Sequence, residues 1–110
     1  MFLQNSRAQI FQTNLPNNNN IDNVKLLTDA ARQGIHLMGK NIDYPLLATF
    51  QRYITTIFEV ITYNTGINYI NIYKQFIFSC SNLTPYEQVK KTVEFLIDVA
   101  NRMNKVCIHY

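Results

Sequence analysis

Residues 83–104, from Leu83-Thr84-Pro85-Tyr86-Glu87-Gln88-Val89 to Val99-Ala100-Asn101-Arg102-Met103-Asn104, decide the fold class of this 110-residue chain. Thr84 offers a side-chain oxygen to an unsatisfied helix N–H. Pro85 stands at the first helical position, where its missing donor costs nothing, and Glu87 completes a capping box. Behind this start, Val89, Val93, Leu96, Ala100 and Met103 recur at three-four spacing and mark one buried face. Phe95, Val99 and Val106 form a second apolar stripe on a neighbouring face. The spacing therefore predicts a final helix that needs more than one partner surface.

Working backwards, Ile67 to Phe78 reads two ways. Its β-branched and aromatic residues suit a strand, whereas Tyr69, Ile70, Tyr73, Phe76, Ile77 and Cys80 share one face of a helix. A twelve-residue strand standing alone among helices is disfavoured, so a helix is expected. Before it, Leu46, Leu47, Phe50, Tyr53, Ile54, Ile57, Phe58 and Ile61 keep helical spacing after an Asp43-Tyr44-Pro45 start. Asn64-Thr65-Gly66 supplies the stop, with a residue able to take positive φ. The opposite face (Ala48, Thr49, Gln51, Arg52, Thr55, Thr56, Glu59, Thr62) is mostly uncharged, which suggests that something covers it. An earlier helix is expected from about Ile21, capped by Asn20 or Asp22. Val24, Leu27, Ala31 and Ile35 or Met38 line its inner face, Gly34 weakens it, and Gly39 closes it in the left-handed conformation.

Leu15-Pro16 and the four asparagines 17–20 read as a linker after a short arm. The expected organisation is thus an arm and linker over residues 1–20 and a helical domain over 21–110. The domain is all-α, a compact four-helix bundle or orthogonal helix array. Apolar residues make up 47% of the chain and charged ones 15%, which places it among packed proteins rather than disordered ones. The Met1–Arg7 start lacks a basic region followed by an apolar one, and no stretch is uniformly apolar for the length of a bilayer. An intracellular location is expected.

Catalytic chemistry finds little support in these residues. His36 and His109 have no evident nucleophile partner, although Cys107 and His109 stand two apart. His36, Cys80, Cys107 and His109 have the right types for a zinc site but not the spacing of a ribbon or finger. Glu94 and Asp98 are i, i+4 carboxylates without a Glu-x-x-His companion. The three glycines stand singly, so no phosphate loop is formed. No catalytic, cofactor or metal residues are assigned, and no enzyme activity is expected.

The net charge of +3 comes from scattered Lys and Arg residues. Lys25, Arg32, Lys40 and Arg7 around the first helix, and Lys90, Lys91, Arg102 and Lys105 around the last, leave weak nucleic-acid binding as the alternative function. The leading expectation is protein association. Seven Phe and seven Tyr are too many for a core of this size. Phe2, Phe11, Tyr44, Tyr63, Tyr69, Phe78, Phe95 and Tyr110 cannot all be buried, and exposed apolar surface marks partner sites. Phe2, Leu3, Ile10 and Phe11 on the arm, with Phe95 and Val99 on the last helix, are the expected partner-binding residues. A small assembly subunit follows, acting as a homo-oligomer or within a larger complex such as a virus particle.

Overall fold

The computed structural model describes residues 22–108, with side chains described to residue 104. Among the described residues four helices follow one another: α1 (Asn23–Met38), α2 (Tyr44–Thr65), α3 (Tyr69–Ser79) and α4 (Pro85–Ile108). The arm and linker, residues 1–20, lie outside the described residues, as do His109 and Tyr110.

Short polar side chains set the helix starts. The Asp22 carboxylate accepts from the Lys25 N–H at 3.1 Å, Asp43 from Leu46 at 2.8 Å, and Asn68 from Asn71 at 3.0 Å. At α4 the Thr84 hydroxyl accepts from the Glu87 N–H at 3.2 Å. Each such cap contributes about 1 kcal/mol to its helix. Gly66 closes α2 with φ 75°, and its N–H donates to the Thr62 carbonyl. Gly39 does not do the same for α1. Its φ is −84°, because the chain ends in a tight turn in which Gly39 N–H donates to His36 O at 3.2 Å and Lys40 N–H to Leu37 O at 2.8 Å. That turn requires no left-handed residue.

Two pairs of contacts give the helix directions. Gln51 and Gln88 hydrogen-bond at 3.4 Å, and the Phe58 and Phe95 rings meet at 5.8 Å. Both pairs have the same separation along the chain, so α2 and α4 run parallel and in step. In contrast, Asn64 bonds Asn23 at 3.1 Å while Gly34 faces Phe50, which makes α1 antiparallel to α2. Parallel neighbours need a return path, and α3 provides it. The core lies between these helices, with Leu27, Leu37, Phe50, Ile54, Phe58, Ile61, Val89 and Leu96 fully enclosed.

The inner face expected for α2 is buried as read, except that Tyr53 is half-buried. For α1 the face turns slightly: Leu26, Leu27, Ala30, Ala31, Gly34 and Leu37 are buried, Val24 and Met38 are half-buried, and Ile35 is 56% exposed. Small residues explain the shift. Ala30, Ala31 and Gly34 bring α1 close to α4, and a Cβ placed at Gly34 would overlap the Val93 Cγ2 methyl and sit 3.1 Å from Phe50 Cζ. Gly34 thus costs α1 some propensity but permits this approach.

Aromatic rings hold α3 in place. Phe58 of α2 meets Tyr69 and Tyr73 of α3 at 6.1 and 5.2 Å, and Phe76 of α3 stacks on Phe95 of α4 at 4.4 Å. Such pairs add about 0.5–1.5 kcal/mol each beyond simple burial. Tyr73 is 1% exposed, and its hydroxyl has no hydrogen-bond partner among the described residues. Burial pushes its phenol above the ordinary value of 10.0. Because the folded state holds this proton more tightly than the unfolded one, the contribution is constant below pH 10 and stability falls as pH rises further. In an alkaline absorbance titration, Tyr73 is expected to ionise only together with loss of helical circular dichroism. Ionisation of Tyr73 with the helices intact would place its phenol in contact with water.

Candidate interaction surface

The outer side of the α2–α3 corner is built from a segment almost free of charge. Between Glu59 and Glu87 the one charged residue is Lys74. Within this segment the inward side chains of α3 are Tyr69, Ile70, Tyr73, Phe76 and Ile77, followed by Cys80 at its C-cap, all buried or half-buried. The same helical period therefore leaves Asn71, Ile72, Lys74, Gln75 and Phe78 outside. Phe78 is 82% exposed and Tyr63, at the end of α2, 88% exposed; Ile67 in the turn and Ile72 on α3 are about half exposed. Interface cores have this composition: aromatic side chains and little charge.

The turn that carries Ile67 is fixed rather than loose. The Thr65 hydroxyl donates to Ile61 O at 2.8 Å and accepts from Ile67 N–H at 3.1 Å, and Tyr69 N–H donates to Ile67 O at 2.8 Å. At the far end of α3, the Ser79 and Ser81 hydroxyls donate to Phe76 O and Phe78 O at 2.6 and 2.9 Å. The Thr65, Ser79 and Ser81 hydroxyls are thus bonded to the local backbone, and the apolar side chains project from an ordered frame.

The residues expected to bind a partner fall elsewhere. Val99 is 6% exposed, and half-buried Phe95 packs among Phe58, Tyr73 and Phe76. The two-sided demand of α4 is met within the chain, by α1 on one side and by α2 with α3 on the other. Phe2, Leu3, Ile10 and Phe11 lie outside the described residues. The neutral face of α2 also has an internal explanation: the hydroxyls of Thr49, Thr55 and Thr56 donate to carbonyls four residues earlier at 3.0, 2.8 and 3.2 Å. Ala48, Thr49, Gln51, Thr55 and Thr62 on it are half-buried.

Charged and metal-binding candidates are equally dispersed. Asp98 pairs with Arg102 at 3.0 Å and Glu94 with Lys91 at 3.9 Å along the outer face of α4. Exposed pairs of this kind contribute about 0–1 kcal/mol. His36 is exposed on α1 and Cys80 is buried beyond α3. Among the described residues no three His, Cys, Asp or Glu side chains gather; the Cys107 side chain and His109 fall outside them. Among the same residues no helix is long and apolar enough to cross a membrane.

Sequence reading missed the corner because it sought apolar stripes. The more useful signal was the scarcity of charge from residue 60 to residue 86, where Lys74 stands alone. Comparison with protein-family models, with curated proteins and with solved structures finds no match for this chain.

Proposed function

We propose that this chain is a non-catalytic assembly subunit that associates with protein through the α2–α3 corner, either with copies of itself or within a larger complex. One observation carries the reading: Tyr63, Ile67, Ile72 and Phe78 stand exposed within residues 60–86, a stretch whose one charged residue is Lys74. Leaving such a surface in water forfeits roughly 25 cal/mol for every Å2 of apolar area that a partner would cover. The arm residues Phe2, Leu3, Ile10 and Phe11 are a second proposed contributor.

The test is sedimentation of the full chain at micromolar concentration, together with recovery of whatever co-purifies with it. Phe78→Asp and Tyr63→Ser, both at exposed positions, are expected to leave the melting temperature nearly unchanged. Phe78→Asp is expected to weaken association by at least 2 kcal/mol, about 30-fold, as for a central aromatic anchor. Removal of Met1–Asn14 is expected to weaken association less. A monomeric chain that co-purifies with nothing, or an assembly indifferent to both corner substitutions, would refute the reading.

A further inference from the structure

The second half of α1 and the turn that follows it carry a shallow depression of about 370 Å3 lined by Arg32, Gln33, His36 and Lys40. Residues 32, 36 and 40 recur at intervals of four and so lie along one side of the helix. The hydrogen bond from Lys40 N–H to Leu37 O, at 2.8 Å, holds the last of them close to the helical path. All four side chains carry N–H donors, and among the described residues no carboxylate lines the depression.

The charge around it is not cancelled by its neighbours. Asp29, one turn earlier, accepts from Arg32 Nη1 at 3.1 Å and from Lys25 Nζ at 2.9 Å. Two cations share this carboxylate, which steadies one edge of the guanidinium and leaves its other donors available.

We propose that this depression binds a phosphate group, with Arg32 and Lys40 as charged donors and His36 and Gln33 completing the hydrogen-bonding set. Arg matches the geometry of a phosphate edge with two parallel N–H donors, and Lys supplies a point charge. The competing explanation is that basic residues at this end merely offset the carbonyl end of α1. That role predicts an effect on stability but no saturable site. The proposal is independent of the α2–α3 corner.

Titration of inorganic phosphate into the isotope-labelled full chain, followed by amide chemical shifts, tests it. A short single-stranded oligonucleotide is titrated separately at low and high salt. Saturable shifts centred on residues 32–40, in the millimolar range for phosphate, are expected. Arg32→Gln and Lys40→Gln are each expected to weaken binding by about tenfold, and Lys91→Gln on α4 to leave it unchanged. Saturation by phosphate alone supports a free anion as the source. Binding of the oligonucleotide that weakens with salt and is reduced by Lys40→Gln supports a phosphodiester. The absence of saturation by either probe, or shifts that survive both substitutions, overturns the site.

Discussion

Phe58→Ala is expected to remove about 3–5 kcal/mol of stability, measured by chemical denaturation. Phe58 is fully enclosed and its ring meets Tyr69, Tyr73 and Phe95, so truncation opens a cavity where α2, α3 and α4 converge. A domain of this size has roughly 5–15 kcal/mol in total, so the variant is left marginal. The loss is expected to appear first as faster amide exchange in α3, whose rings depend most on Phe58. A variant with near-native stability would show that the surrounding rings collapse into the space without cost.

Gly34→Val is expected to destabilise the fold by about 1–3 kcal/mol, although valine is the better helix former of the two. The added carbons meet the Val93 methyl and the Phe50 ring, and neither has a flexible stem that can swing away. Helix propensity and packing thus pull in opposite directions, and packing has the larger magnitude. Denaturation with an unchanged slope but a lower midpoint is the expected signature. A midpoint at or above that of the parent chain would mean that α1 and α4 have room to spare.

These two residues also separate what was legible in the sequence from what was not. Phe58 lies on an uninterrupted three-four stripe, and such a stripe fixes its own inner face. The same holds for α3, where Tyr69, Ile70, Tyr73, Phe76, Ile77 and Cys80 turn inward together despite a strand-like composition. Caps were readable because Asp22, Asp43 and Thr84 act on backbone only three residues away. Gly34 read locally as a weakness, since its purpose depends on Val93, far along the chain. Gly39 misled for a related reason: more than one backbone geometry ends a helix, and glycine is compatible with several. Phe95 and Val99 read as a partner surface because spacing on one helix does not say that α1, α2 and α3 will occupy both of its sides. The apolar side chains left outside, Tyr63 and Phe78 among them, became visible once the inner faces had been assigned.

The eleven residues of α3 are at once the return path between parallel helices, the inner wall of the ring cluster and, in the proposed function, half of a docking surface. A partner that grips Ile72 and Phe78 from outside binds the form in which Tyr73 and Phe76 are seated inside. Occupancy and integrity then become one linked equilibrium: a partner at 100 times its dissociation constant raises the stability of the seated form by about 2.7 kcal/mol. Core substitutions beneath α3 would consequently weaken association without touching the interface. On the proposed function, the chain would be most vulnerable to proteolysis in the interval between its synthesis and its first encounter with a partner.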